Sequence, residues 1–204
     1  MELERRYITH KVEARAAEPM DGETEEPPMT ISGYAAVFNQ PADFGWYEEV
    51  IAPSAFEGCD MTDVVALFNH DANMVLSRTN GDATTGLSLM VDSVGLKYEF
   101  KALNECAEHV AENVKLGFVN KSSYAYYVEN AVWDIFKDAQ GNEKERRTIL
   151  KISKVQDVSP VTFPAYNSTS VEARNFDHER KPIEKRQSTE DFILKLKTNR
   201  HENK

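Results

Sequence analysis

Cysteine is scarce in this 204-residue chain: Cys59 and Cys106 are the only two, and neither belongs to a CxxC pair or a histidine cluster. Two isolated thiols predict neither a disulfide framework nor a zinc site. Long apolar runs are also missing, since no stretch approaches the roughly 20 residues that cross a bilayer. The charged start MELERRYITH lacks the apolar segment of a signal peptide. We therefore expect an intracellular protein without a membrane partner.

Positive charge is scarce in most of the chain. Residues 1–173 carry 15 Lys and Arg against 28 Asp and Glu, whereas residues 174–204 carry nine against six. Binding to phosphates requires clustered Lys and Arg, so the acidic body argues against general nucleic-acid binding. The mildly basic end predicts either a solvated tail or a segment that docks on an acidic protein partner.

The apolar content of 41% is sufficient for one substantial core. We expect one domain over residues 1–173, with an exposed acidic and proline-containing loop at 18–29, followed by a polar C-terminal tail over 174–204. Within the tail, a capping pattern beginning at Ser188 precedes the letters FILKLK and predicts a short tethered helix.

Short strands dominate the predicted elements. Alternating or apolar segments predict strands at 6–14, 30–39, 48–51, 64–69, 122–129, 131–136, 147–154 and 158–163, and a hairpin over 85–100 that turns near 92–95. A further turn is expected at 140–142. One helix is predicted from an Asn104 cap to about Leu116, with Gly117 at its end and Ala107, Val110, Ala111 and Val114 on one face. Many strands with one central helix favour a mainly β, α+β fold built as a closed or nearly closed barrel.

The segment LFNHD, residues 67–71, contains the candidate base. His70 follows an apolar strand, and an imidazole can take and return a proton near neutrality, although a structural histidine is the alternative interpretation. After the predicted helix, Ser122 and Ser123 begin an aromatic strand. Adjacent strand residues point to opposite faces, so only one of them can face the histidine. Cys106 is a weaker candidate nucleophile because the acidic residues around it disfavour a thiolate.

A joint pattern extends across most of the chain. The successive segments GYAAVFN, EEVIAPSAF, LFNHD, GLSLMVDSVGLKYEF, SSYAYYV and DVSPVTFPAY, between Gly33 and Tyr166, resemble the prohead proteases of tailed phages in order and spacing. The resemblance covers about residues 33–171.

This resemblance implies a serine endopeptidase with a fold similar to the herpesvirus assembly protease barrel. It implies His70 as the catalytic histidine, Ser123 as the nucleophile and Asp157 as the acid that orients the imidazole. Asp71, directly after the histidine, is a local rival for the third role, although adjacent strand residues point to opposite faces. Such chemistry needs no metal or organic cofactor. The resemblance further implies a major capsid protein or its scaffold segment as substrate, self-cleavage, self-association by analogy, and a location in the host cytoplasm inside the immature prohead.

Two other classes of function remain open at this stage. A non-catalytic capsid-assembly or scaffold protein on a protease-like fold would not need a contact between His70 and Ser123. A cysteine-dependent enzyme would use Cys106, and a serine-directed inhibitor would distinguish it from a serine protease.

Overall fold

A computed structural model describes residues 3–8, 12–16, 27–79, 86–138 and 140–163. The predicted terminal helix, the tail over 174–204 and most of the loop predicted at 18–29 lie outside these residues. In the part of the chain that the structure describes, no helix is both long enough and apolar enough to cross a membrane.

The described chain is mainly β with one helix, which confirms the predicted class. The strands and the helix, in chain order, are β1 (Leu3–Ile8), β2 (Glu13–Arg15), β3 (Thr30–Val37), β4 (Ala42–Asp43), β5 (Tyr47–Ile51), β6 (Val65–Phe68), β7 (Asp71–Arg78), β8 (Ser88–Val91), β9 (Gly95–Lys101), α1 (Glu105–Lys115), β10 (Lys121–Lys137) and β11 (Glu143–Val161).

The strands pair into two sheets. The larger sheet has the order β1-β10-β11-β5-β4, and β6, which carries the hairpin partner β7, pairs with the other end of β11. The smaller sheet has the order β2-β3-β9-β8. Strands β10 and β11 are long and antiparallel, and β5 and β6 both run parallel to β11. Strand β11 therefore lies in the middle of the larger sheet, with β10 on one side and β6 on the other.

The main core lies between the two sheets and the helix. Alternating burial along the strands sends one face of each inward, as in β5, where Tyr47, Glu49 and Ile51 are all buried. Apolar side chains from both sheets, such as Ile31 and Ile152, pack with the inner face of α1. A buried Glu49 is costly unless it is paired, so its position on the inward face requires cationic partners.

The helix follows its local sequence signals closely. The Asn104 side chain caps it by accepting a hydrogen bond from the Ala107 backbone N–H, and its buried residues are the four predicted. Gly117 adopts a φ of 80°, the left-handed conformation that ends helices. The hairpin formed by β8 and β9 and the turn near Gly141 also lie where the sequence predicts them.

Several strand predictions need correction. The strand predicted at 6–14 is two strands, β1 and β2, which belong to different sheets. The four strands predicted after the helix are the two continuous strands β10 and β11, whose register shifts at bulges explain why their alternation breaks. Strand β7 was not predicted, because Leu76 is its only buried residue. The pairings among the described strands form two sheets and do not join them into one ring, so a closed barrel is not seen in this part of the chain.

Candidate active site

Three neighbouring strands bring the predicted site residues together. Ser123 on β10 lies directly opposite Ser159 on β11. Asp157 precedes Ser159 by two residues, so their side chains point to the same face of the sheet. On the other side of β11, strand β6 pairs with it at Asp157 and then leads into the turn that carries His70. The sheet order β10-β11-β6 thus places the hydroxyl, the carboxylate and the imidazole side by side.

A continuous set of hydrogen bonds joins the three side chains. His70 Nδ1 lies 2.5 Å from Asp157 Oδ1, and His70 Nε2 lies 2.5 Å from Ser123 Oγ. For Nε2 to accept the serine proton, the imidazole must carry its own proton on Nδ1 and donate it to the carboxylate. Asp157 therefore favours the tautomer in which His70 can act as a base toward Ser123. The aspartate is long enough to reach the imidazole.

The three groups are shielded from solvent. The side chains of His70 and Asp157 are 4% and 5% exposed, and Ser123 is fully buried. Ser159, also fully buried, donates a hydrogen bond to Asp157 Oδ1 at 3.0 Å, and its Oγ lies 3.4 Å from His70 Nδ1. With few waters to compete, each of these contacts has a larger effect on the orientation of the groups than it would at the surface.

A tight turn presents the histidine. Asn69 and His70 are the two residues between β6 and β7, and both have positive φ values, 54° and 59°. This is the requirement of a type I′ hairpin turn, which asparagine meets readily and histidine less often. The Asn69 side chain fixes the turn to the end of β11, since its Oδ1 accepts from the Thr162 backbone N–H at 2.9 Å and its Nδ2 donates to the Thr162 hydroxyl at 3.3 Å.

We expect Asn69→Ala to destabilise the protein by about 1–3 kcal/mol, because alanine is strained at this positive φ and removes the contacts with Thr162. Asn69→Gly is the matched control, since glycine loses the same contacts but adopts the conformation freely. Urea denaturation should give a clearly smaller loss for the glycine variant. Equal losses for both variants would show that the backbone conformation contributes nothing.

The two adjacent serines have different surroundings. Ser122 faces the smaller sheet, where its hydroxyl forms a 2.8 Å hydrogen bond with the buried hydroxyl of Tyr98. Gly33 permits this contact, because a Cβ at that position would lie only 2.9 Å from the Tyr98 hydroxyl oxygen. Ser123 faces the histidine. Ser122 is therefore a core residue that contacts Tyr98, and Ser123 is the serine of the candidate site.

Asp71, the rival carboxylate, lies away from the imidazole contacts described above. Its side chain accepts hydrogen bonds from the Asn73 backbone N–H at 2.9 Å and from the Asn73 side-chain amide at 3.0 Å. Asp71 is exposed and stabilises the start of β7. The geometry places Asp157, rather than Asp71, against His70 Nδ1.

The two free cysteines belong to other parts of the fold. Cys106 is half-buried on α1 and packs against the main core. Burial raises the pKa of the Cys59 thiol to about 11, so this group is a thiol rather than a thiolate at neutral pH. Within the described ranges, no group of three or more His, Cys, Asp and Glu side chains could hold a metal ion.

Ser159 and Asn69, which contact or hold the candidate site residues, were not predicted from the sequence. Ser159 stands two residues after Asp157, and strand alternation alone could have placed it on the same face. Asn69 precedes the histidine directly, and its tolerance of positive φ is a known signal for a two-residue turn. The contact of Asn69 with Thr162 joins residues 93 positions apart, so no local pattern predicts it.

A carboxylate, an imidazole and a serine hydroxyl in this succession of hydrogen bonds form the arrangement with which serine hydrolases perform acyl transfer. The sequence profile of the caudovirus prohead serine proteases matches residues 11–182, and the chain belongs to that family. A solved structure, that of the bacteriophage T4 capsid assembly protease, is 13% identical with a TM-score of 0.47, and the match covers 79% of this chain and 98% of that one. No curated protein matches the chain.

Proposed function

We propose that this protein is a serine endopeptidase that cleaves capsid or scaffold protein during prohead assembly, with self-cleavage. The observation that carries the proposal is the set of hydrogen bonds from Asp157 through His70 to Ser123 in a chain of the prohead serine protease family. An inactive protein on the same fold would have no need to maintain these contacts in a buried site.

The proposed reaction has two acyl-transfer steps. His70 Nε2 takes the proton of Ser123 as Oγ attacks the carbonyl carbon of a peptide bond, and Asp157 stabilises the resulting imidazolium. Collapse of the tetrahedral intermediate breaks the C–N bond, and the imidazolium gives its proton to the leaving amine. Water, deprotonated by the same imidazole, then attacks the acyl-enzyme. The bond between the acyl carbon and Ser123 Oγ breaks, the carboxylic acid product leaves, and the imidazolium returns its proton to Oγ.

The proposed setting is the immature capsid in the host cell. A protease enclosed with many copies of its substrate meets them at high local concentration, so modest affinity is sufficient for processing. The polar tail over 174–204, which lies outside the described residues, is proposed to bring the protease to scaffold or capsid protein during assembly.

Co-expression with the major capsid protein of the same phage tests this function. Intact-mass spectrometry should detect a shortened capsid or scaffold chain with wild-type protease and only full-length chains with Ser123→Ala. Ser122→Ala serves as a second control and should still give the shortened chain. The same new termini with Ser123→Ala would assign the cleavage to another enzyme and contradict the proposal.

A further inference from the structure

Strand β1 lies across the candidate nucleophile. It forms the edge of the larger sheet and pairs antiparallel with β10, with Tyr7 opposite Ser123 and Arg6 opposite Tyr124. The Ser123 hydroxyl also lies within hydrogen-bonding distance of the Arg6 carbonyl, donating to its oxygen at 2.8 Å. A serine hydroxyl has one proton, so the carbonyl of Arg6 and Nε2 of His70 compete for it. A backbone carbonyl of β1 thus contacts the candidate nucleophile.

The Arg6 side chain is held in a fitted pocket. Its Nε and Nη2 donate to the two carboxylate oxygens of Glu49 at 2.5 Å and 3.0 Å. The Tyr126 hydroxyl donates to Glu49 Oε1 at 3.1 Å, and the guanidinium lies 5.2 Å from the centre of the Phe44 ring. A two-point contact of this kind, beside an aromatic ring, suits arginine better than lysine.

A second pocket holds Glu4, two residues earlier and on the same face of β1. Arg147 donates from Nη1 and Nη2 to the two oxygens of this carboxylate at 2.6 Å and 2.9 Å. The fully buried Arg147 also donates to Glu49 Oε2 at 3.0 Å. Strand β1 therefore places one acidic and one basic side chain against a basic and an acidic group of the sheet.

The charges of these pockets are fixed at neutral pH. Burial opposes ionisation of Glu49, but Arg6 and Arg147 outweigh it and hold the pKa of this carboxyl below its ordinary value. Burial likewise opposes the charge of Arg147, but its contacts with Glu4 and Glu49 raise the pKa of the guanidinium. Without β1, the negative charge of Glu49 and the positive charge of Arg147 still neutralise each other. Together they form a site for any strand that carries a basic and an acidic side chain at the matching positions.

Removal of β1 would also expose the edge of β10 beside Ser123. Edge strands with unpaired backbone groups bind extended peptides by strand addition, with pockets that recognise alternate side chains. Residues 3–8 lie before residues 11–182, which the family profile matches. Strand β1 thus lies outside the segment that the profile matches.

We propose that β1 occupies the site where the substrate strand binds, and that this site selects extended segments with the pattern Glu-x-Arg. In a bound substrate, Glu49 pairs with the arginine, and the carbonyl group of that arginine lies beside the Ser123 hydroxyl. Arg147 pairs with the glutamate two residues before it. The cleaved bond is the one that follows the arginine, and an intact β1 inhibits the enzyme by competing with substrate. This inference rests on the proposed function, whose chemistry would open the C–N bond after that arginine and transfer the acyl group to Ser123.

An internally quenched peptide with the sequence of residues 2–9, ELERRYIT, tests the pattern on the full chain. We expect cleavage after the second arginine. Alanine in place of that arginine, or of the glutamate two residues before it, should lower kcat/KM about tenfold or more, because each removes a charged two-point contact. Alanine in place of the first arginine, the counterpart of the exposed Arg5, is the matched control and should change it less than about twofold. Equal effects of the two arginine substitutions, or cleavage at another bond, would overturn the inference.

A binding experiment separates this inference from the chemistry. In the Ser123→Ala chain, the double substitution Glu4→Ala/Arg6→Ala removes one charge of each sign and weakens the hold on β1. This triple variant should bind the fluorescein-labelled ELERRYIT peptide about tenfold more tightly than the control does. The control carries Leu3→Ala/Arg5→Ala in the same Ser123→Ala background and changes the exposed face of the same strand. Equal affinities in folded variants, checked by circular dichroism, would overturn the inference.

The binding experiment and the hydrolysis experiment can fail independently of each other. If the binding difference is found but the Ser123 chain cleaves neither the peptide nor the co-expressed capsid protein, the proposed function fails and the strand site stands. If peptides are hydrolysed without preference for the Glu-x-Arg pattern, the strand site fails and the protease stands. Should the inner double variant fail to fold, the peptide series alone decides the inference.

Discussion

Ser123→Ala should abolish peptide hydrolysis, with a loss of at least about 10³-fold in kcat, because the hydroxyl beside His70 forms the acyl-enzyme. The change removes one oxygen atom, and the strand register that pairs β10 with β11 does not depend on it. Circular dichroism should therefore match that of the wild type, and stability should fall by about 1–3 kcal/mol, because His70 and the Arg6 carbonyl each lose a hydrogen bond. The measurement is the hydrolysis rate of the ELERRYIT peptide under saturating conditions.

Ser122→Ala is the matched control for this prediction. It deletes the same atom from the neighbouring residue, but on the face where the hydroxyl meets Tyr98. The buried tyrosine loses its partner, so the cost should be about 1–3 kcal/mol in stability, with kcat changed little. If both variants lost activity equally with unchanged circular dichroism, the assignment of Ser123 as the nucleophile would be wrong.

Asp157→Asn should lower kcat by on the order of 10³ to 10⁴-fold, because an amide neither holds the imidazole in the required tautomer nor stabilises the imidazolium. The side chain keeps its size, so the fold and KM should change little. Steady-state kinetics on the same peptide measures the split between kcat and KM.

Asp71→Asn provides the comparison for Asp157→Asn. Its carboxylate contacts Asn73 at the start of β7, so its loss should affect stability slightly and turnover less than about twofold. The combined variant His70→Ala/Asp157→Asn should be little slower than His70→Ala alone, since residues that act as a unit are not additive. A greater loss of turnover from Asp71→Asn than from Asp157→Asn would contradict the proposed role of Asp157.

Local signals in the sequence predict local structure well. The helix depends on the Asn104 cap, the Gly117 end and four apolar residues at helical spacing, all within fourteen positions of one another in the sequence. Bulges and exposed strands are harder to predict. An extra residue in β11 shifts the alternation of inward and outward side chains, and the exposed pattern of β7 lacks the alternation that marks a half-buried strand.

Some parts of the candidate site could likewise be predicted from the sequence, and others could not. Motif resemblance singled out His70, Ser123 and Asp157, and the structure brings the three side chains into hydrogen-bonding contact. The charged pockets for β1 could not be found this way. Arg6 and Glu49 are 43 positions apart and belong to separate strands of the sheet, so only the folded pairing reveals that each needs the other.

Covalent labelling with a fluorophosphonate, read by intact-mass and peptide mass spectrometry, tests the central claim most directly. The Glu4→Ala/Arg6→Ala chain is labelled beside the wild type, so that access past β1 does not limit the reaction. We expect one adduct, on the peptide that contains Ser123, formed faster in that variant and nearly absent when His70→Ala is added. An adduct on another residue, or labelling of Ser123 that does not depend on His70, would contradict the proposed active site.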